Sequence, residues 1–122
     1  MSKKVIVIDD SPVARTQVRN ALVGAGYNVV EAVDGQDGVD KVRSNEDTAM
    51  VICDLNLPGL SGIEVLTAVR AAGRNSSVPF VLLTTEAQPE IVQEAMSKGA
   101  KGWILKPVKP SLLVAAVKKL AG

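Results

Sequence analysis

Short apolar stretches alternate along this chain with segments in which apolar residues recur at every third or fourth position. The spacing of Ala14, Val18 and Leu22, for example, is that of one face of a helix. A weaker pattern of the same kind lies near residues 36–44. Predicted strands, each rich in β-branched or aliphatic residues, cover 4–8, 28–32, 49–54, 80–84 and 102–106. The whole pattern predicts five strands, each followed by a helix.

The character of the strands indicates a fold class. They are apolar throughout rather than alternating, which is typical of a parallel sheet covered by helices on both faces. Regular strand–helix alternation then predicts an α/β fold, a (βα)5 doubly wound domain whose five-stranded parallel sheet has the flavodoxin-like order 2-1-3-4-5. Ser11 and Pro12 mark the start of the first helix, and Gly24 and Gly26 mark its end. We expect residues 1–122 to form a single domain without an attached output domain.

Composition narrows the range of functions. Lys and Arg number 14 against 13 Asp and Glu, which argues against a nucleic-acid-binding protein, since such a protein would carry a basic surplus. The chain has one cysteine, and no apolar run is long enough for a signal peptide or a membrane span. We therefore expect a cytoplasmic protein that does not bind a membrane. The lack of histidine excludes histidine-based metal sites, Ser-His triads and a phosphohistidine of the chain's own.

Polar residues lie at the carboxyl ends of four predicted strands. Asp9 and Asp10 end the first strand, Asp54 the third, Thr84 the fourth and Lys106 the fifth. Ligands of open α/β sheets bind at this edge, where the strand order reverses, and the first and third strands are neighbours there. Converging carboxylates raise one another's pKa unless a cation joins them. Because the ligand atoms are all oxygens, the sequence favours a hard cation, with Mg²⁺ above Ca²⁺ if water molecules complete an octahedron.

The motifs that carry these residues have other interpretations when taken singly. "DDSP" is also typical of a helix cap, and "DLNLPG" of a turn. Together, however, "VIDD", "CDLNLPGLSG", "LLTTEA" and "GWILKP" occur in an order and at spacings that resemble the receiver domains of two-component response regulators. The resemblance covers essentially the whole chain and is nearest to the stand-alone chemotaxis (CheY-like) type. The strand order 2-1-3-4-5 is itself known from chemotaxis receivers, so the fold and the resemblance are not independent.

The resemblance implies a phosphoacceptor that depends on a metal ion. Asp54 would take a phosphoryl group and form an acyl phosphate. Mg²⁺, for which Mn²⁺ can substitute, would be bound by the side chains of Asp10 and Asp54 and by the backbone carbonyl of Asn56, with Asp9 acting mostly through water. The protein would then be no enzyme in the usual sense, since it catalyses only its own phosphorylation and dephosphorylation.

The same resemblance assigns roles in switching. Lys106 would pair with a phosphoryl oxygen, and the Lys106-Pro107 peptide bond would be cis. Thr84 would hydrogen-bond the phosphoryl group and draw its loop inward. Trp103 stands where the family usually has Tyr or Phe coupled to that movement, although a plain core or surface aromatic residue remains the alternative.

Two further residues are expected to set the lifetime of the phosphorylated state. Asn56 lies two positions after Asp54, and Glu86 lies two positions after Thr84. The resemblance places this pair beside the path of the attacking water and implies rapid hydrolysis. Thr85 departs from the family pattern, in which Ala or Gly is common, and this leaves access of the phosphodonor open.

The implied partners are other proteins. A sensor histidine kinase would donate the phosphoryl group, and a monomeric receiver would bind its target through the fourth helix, fifth strand and fifth helix. One alternative is an aspartate-nucleophile phosphatase, but "DDSP" lacks the Asp-x-Asp spacing of that class. Another is a flavodoxin-like cofactor binder, which would need a Gly/Ser/Thr-rich phosphate loop after the first strand. A phosphate sink or phosphorelay intermediate also stays open, as do the kinase, the target and the choice between flagellar and pilus-based output.

Overall fold

The computed structural model of the protein describes residues 3–71, 77–85 and 88–122. Its strands are β1 (Lys4–Ile8), β2 (Asn28–Ala32), β3 (Thr48–Asp54), β4 (Phe80–Thr84) and β5 (Gly102–Leu105). Its helices are α1 (Pro12–Gly24), α2 (Gly35–Ser44), α3 (Gly62–Arg70), α4 (Pro89–Ser97) and α5 (Pro110–Ala121). All neighbouring strands are parallel, and their order is β2-β1-β3-β4-β5. The predicted α/β fold and strand order are therefore confirmed.

Two apolar cores lie on opposite faces of the sheet. Successive residues of a strand point to opposite faces, so Ile6 and Ile8 of β1 join one core while Val5 and Val7 join the other. The first core is completed by α2, α3 and α4, and the second by α1 and α5. All four residues are fully buried, which explains why this central strand is apolar throughout.

Local signals fix the starts of the helices. The Ser11 hydroxyl accepts a hydrogen bond from the Ala14 backbone N–H at 3.2 Å at the start of α1. Helix α2 begins one residue earlier than its weak pattern predicts, and its cap is Asp34. At α3, Ser61 and Glu64 form a reciprocal capping box. These caps end each loop at the carboxyl edge of the sheet and direct the next helix back along a face.

Strand β5 departs from the expectation that every strand is covered on both faces. Ile104 packs against the core that contains α5, whereas Trp103 is 43% and Leu105 52% exposed. The physical reason is position, because β5 is the last strand of the sheet and one of its two faces is left partly uncovered. We call Trp103 and Leu105 the exposed face of β5. Within the described ranges, none of the helices combines the length and the hydropathy that a membrane crossing requires.

Candidate functional site

Three aspartates converge at the carboxyl edge of the sheet, and we call them the acidic cluster: Asp9, Asp10 and Asp54. Strands β1 and β3 are paired with Ile8 opposite Cys53, so the residues that follow the two strands are neighbours. Carboxylate oxygens of the three side chains all lie within 4.8 Å of one another. Asp9 is fully buried and Asp54 nearly so, whereas Asp10 is exposed. The convergence predicted from strand order is thus present in the structure.

Lys106 reaches the acidic cluster from the end of β5. Its Nζ lies 2.8 Å from Asp9 Oδ2 and 2.9 Å from Asp54 Oδ2. The Lys106 backbone N–H donates to the Thr84 carbonyl at 2.8 Å, which ties the start of the loop after β5 to the end of β4. The Lys106-Pro107 peptide bond is cis, as the resemblance implies. Lys106 therefore joins the two buried carboxylates from across the sheet.

Burial and the neighbouring opposite charges shift the pKa values of Asp54 and Lys106 in opposite directions. The pKa of Asp54 is raised above its ordinary value because burial removes the carboxylate from water, and the hydrogen bonds from Lys106 and the Asn56 backbone offset this only in part. Burial alone would lower the pKa of Lys106, but the carboxylates of Asp9 and Asp54 outweigh it, so that pKa is raised. The ammonium is thus held in its charged form where negative charge is concentrated.

The donor atoms of the acidic cluster suit a hard divalent cation. Asp9 Oδ1 accepts a hydrogen bond from the Ser11 backbone N–H at 2.9 Å. Asp9 Oδ2 is buried and, despite its ion pair with Lys106, has no hydrogen bond of good geometry among the described residues. This buried oxygen lies beside two more carboxylates, and one ammonium does not neutralise all three. A further positive charge would therefore stabilise the cluster. Ligand sets composed of oxygens favour Mg²⁺, Mn²⁺ or Ca²⁺ over softer metals.

The backbone around Asp54 is closely packed. Its Oδ1 accepts a hydrogen bond from the Asn56 backbone N–H at 3.2 Å, so both carboxylate oxygens have partners. Helix α3 begins against this segment, since the Gly62 N–H donates to the Leu55 carbonyl at 2.9 Å. A Cβ at Gly62 would lie only 2.6 Å from the Asp54 carbonyl oxygen. A glycine here allows the helix to support the Asp54 backbone directly.

The remaining predicted residues lie at different distances from the acidic cluster. Thr84 is buried at the end of β4 and shares the edge of the sheet with it. The Asn56 side chain is exposed. Trp103 pairs with Leu82 in the middle of the β4–β5 ladder, away from the cluster. Glu86 lies outside the described residues.

One contact at this edge was not predicted from the sequence. Arg15, on α1, donates from Nη1 to the Asp9 carbonyl oxygen at 2.8 Å. Its Nε lies 3.3 Å from Glu31 Oε1 on β2. A charged residue on a helix is by itself typical of a solvated face, so neither residue carried a recognisable signal. The nearest hint was the position of Arg15 in the first helix, shortly after the two aspartates.

Known proteins resemble this chain over most of its length. Residues 5–118 match the family model of the response regulator receiver domain. The chemotaxis protein CheY1 of Helicobacter pylori is 35% identical over 111 residues, which cover 90% of each chain. The chemotaxis protein CheY homolog of Campylobacter jejuni is 32% identical over 120 residues, covering 98% of this chain and 92% of that one.

Solved structures agree with these sequence relatives. The chemotaxis protein CheY4 of Vibrio cholerae superimposes with a TM-score of 0.93 at 35% identity, over 98% of this chain and 99% of that one. The family model spans every strand of the sheet except the first residue of β1. From its sequence and its fold, the chain belongs to the family of response regulator receiver domains.

Proposed function

We propose that this chain is a response regulator receiver domain that accepts a phosphoryl group on Asp54 and signals by binding another protein. One observation carries the proposal: three carboxylates within 4.8 Å of one another share an edge with a lysine ammonium 2.9 Å from Asp54. Phosphoryl transfer needs little covalent help but much positioning and charge neutralisation. An aspartate held between an ammonium and two further carboxylates meets that requirement once a cation is bound.

Asp54 is the proposed nucleophile. In the transfer step, an oxygen of its carboxylate forms a bond to phosphorus while the bond from phosphorus to the donor's imidazole nitrogen breaks, and that nitrogen keeps the electron pair. The Asn56 backbone N–H and Lys106 orient the carboxylate beforehand. Lys106 then lies within reach of the phosphoryl oxygens, where the negative charge has moved. Thr84, on the adjacent strand end, is proposed to donate a hydrogen bond to the same oxygens.

The proposed metal site uses Asp9, Asp10 and Asp54 together with the backbone carbonyl of Asn56. A bound Mg²⁺ or Mn²⁺ supplies charge neutralisation for the phosphoryl oxygens. The buried and incompletely bonded Asp9 Oδ2 supports this assignment. Few protein carboxylates would hold the ion, so modest affinity is expected.

The phosphodonor is proposed to be the phosphohistidine of a sensor kinase. This chain contains no histidine, so the phosphoryl group must come from another molecule. The proposed target surface consists of α4, β5 and α5, where the exposed face of β5 lies near Leu112, which is 61% exposed. The names of the relatives from H. pylori and C. jejuni support a role in chemotaxis. A short-lived phosphorylated state, expected from Asn56 and Glu86, stays a prediction.

The decisive experiment is labelling with radioactive acetyl phosphate in the presence of Mg²⁺. The Asp54→Asn variant keeps the shape of the side chain but loses the nucleophilic carboxylate, so we expect it to fold and to take no label. Asp47→Asn is the matched control, because the Asp47 side chain is 73% exposed and forms an ion pair with Lys4 at the other end of the sheet. Labelling of Asp54→Asn equal to that of the parent would refute the proposed function.

A further inference from the structure

Asp10 differs from the other members of the acidic cluster in the hydrogen bonds and ion pairs that hold its carboxylate. Asp9 and Asp54 both pair with Lys106, and each accepts a hydrogen bond from a backbone N–H. The Asp10 carboxylate is exposed and makes no hydrogen bond or ion pair with another residue in the described part of the chain. Its position therefore depends on the backbone that carries it.

That backbone is fixed by hydrogen bonds at both the N–H and the carbonyl of Asp9. The Asp9 N–H donates to the Ala32 carbonyl at 3.1 Å, as the last link between β1 and β2. The Asp9 carbonyl accepts from Arg15 Nη1 at 2.8 Å. Because a peptide unit is planar, a bond to this carbonyl also fixes the nitrogen and Cα of Asp10. The Arg15 contact is thus one rigid unit away from the Cα atom that carries the Asp10 side chain.

Arg15 is itself held in place. Its side chain is only 15% exposed, and its Nε lies 3.3 Å from Glu31 Oε1 on the neighbouring strand. A guanidinium is planar and its five N–H groups point in fixed directions, so one side chain can reach the Asp9 carbonyl and Glu31 at once. A lysine ammonium has the same charge but lacks this fork.

We propose that Arg15 is a positioning residue for the divalent-cation site, because it holds the peptide between Asp9 and Asp10 so that the Asp10 carboxylate faces the rest of the acidic cluster. The inference rests on the proposed function, since it assumes that the cluster binds a metal ion. Arg15 touches no reacting atom and acts only through the Asp9 carbonyl.

Charge and positioning predict opposite effects for the loss of Arg15. A cation beside the site repels a second cation, so an effect of charge alone would make Arg15→Met bind a metal ion more tightly. Loss of positioning would make the same variant bind more weakly, since outer partners of metal ligands commonly hold the ligand in its binding geometry. Whether Arg15→Met binds the metal ion more tightly or more weakly than the parent therefore distinguishes an effect of charge from an effect of positioning.

The experiment is a titration with Mn²⁺ followed by electron paramagnetic resonance of the free ion. We expect Arg15→Met and Arg15→Lys each to weaken Mn²⁺ binding by about tenfold. This is the lower end of the loss in affinity that follows removal of an outer-sphere contact. Arg19→Met is the matched control: Arg19 lies one turn further along α1, is 55% exposed and contacts the same Glu31 at 3.4 Å. We expect its Mn²⁺ affinity to equal that of the parent. Far-ultraviolet circular dichroism establishes that each variant is folded.

Labelling by acetyl phosphate provides a second measurement. A positioning residue changes the Mg²⁺ concentration needed for half-maximal rate, whereas the rate at saturating Mg²⁺ stays within about twofold of the parent. A deficit in Arg15→Lys that saturating Mg²⁺ does not restore would overturn the inference.

The outcomes for metal binding are distinct. Failure of the parent protein to bind Mn²⁺ would refute the proposed function, and the inference with it. If the parent binds Mn²⁺ and Arg15→Met binds it equally or more tightly, the positioning role is wrong while the proposed function stands. If Arg15→Met does not fold, Arg15→Lys decides by the same criterion.

Discussion

The acidic cluster and the exposed face of β5 lie on the same sheet but differ in how firmly they are held. Asp9 and Asp54 are buried, each accepts a hydrogen bond from a backbone N–H, and both form ion pairs with Lys106. Trp103 and Leu105 are about half exposed at the last strand. Chemistry requires groups fixed to within a fraction of an ångström, whereas recognition by a partner requires accessible apolar area. Under the proposed function, the sheet would separate these two tasks by position, with chemistry at the carboxyl ends of β1 and β3 and recognition at β5.

The largest effect on metal binding and phosphorylation is expected where the acidic cluster loses its exposed carboxylate, Asp10. Asp10→Ala should reduce Mg²⁺ affinity by at least about tenfold, since loss of a ligand costs no less than loss of its outer partner. Labelling by acetyl phosphate should fall in parallel. Isothermal titration calorimetry measures the affinity, and Asp40→Ala on the exposed side of α2 is the control. Unchanged Mg²⁺ binding in Asp10→Ala would mean that the metal site is wrongly assigned.

A second comparison tests the difference in packing between β4 and β5. Leu83 is fully buried on the inner strand β4, so Leu83→Ala should lower the free energy of unfolding by about 2–5 kcal/mol. Leu105→Ala, which removes the same atoms from a half-exposed site, should change it by only about 0.5 kcal/mol. Urea denaturation gives both values. Similar losses in the two variants would contradict the contrast between a fixed and an accessible region.

The close packing behind Asp54 is tested with two glycines. Gly62→Ala would bring a Cβ within 2.6 Å of the Asp54 carbonyl oxygen, and overpacking of this kind costs about 1–3 kcal/mol. Gly24→Ala at the end of α1 meets nothing within 4 Å, so it should be neutral or stabilise by about 0.4–1 kcal/mol. Thermal unfolding followed by circular dichroism measures both. A Gly62→Ala variant as stable as Gly24→Ala would show that α3 can shift away from Asp54.

The smallest expected effect links the two regions. Trp103 is the only tryptophan, so its emission reports on the exposed face of β5 alone. If Thr84 moves toward a bound phosphate mimic, the packing near β5 changes, and beryllofluoride added at fixed Mg²⁺ should alter the intensity or wavelength of emission. The change should vanish in Thr84→Ala. An emission spectrum that ignores beryllofluoride, in protein shown by calorimetry to bind it, would assign Trp103 a purely structural role.

Much of the fold could be predicted because local signals and periodicity agreed. The apolar runs and caps such as Ser11 specify strands and helix starts without knowledge of the tertiary structure. The meeting of Asp9, Asp10 and Asp54 also followed, since it depends only on strand order and strand ends. Even α2, the weakest pattern, was predicted to within one residue of its start.

Other features depend on tertiary contacts that no local pattern in the sequence indicates. The apolar composition of β5 predicts burial, yet Trp103 and Leu105 are exposed because the strand lies at the edge and a helix layer covers it incompletely. The bridge from Arg15 to Glu31 and the Asp9 carbonyl joins helix α1 to β2 and to the end of β1. Such a contact is set by the angle at which α1 crosses the sheet, which periodicity does not specify.

The edge position of β5 also bears on self-association. A last strand exposes backbone N–H and C=O groups, and a second copy of the chain could extend the sheet by pairing with them. Here the strand is only four residues long, with Lys101 before it and Lys106 and Pro107 after it. The exposed charge of Lys101 repels an identical strand, and Pro107 offers no N–H with which the ladder could be extended. The proposed target surface can therefore hold exposed apolar side chains while the sheet resists growth into an aggregate.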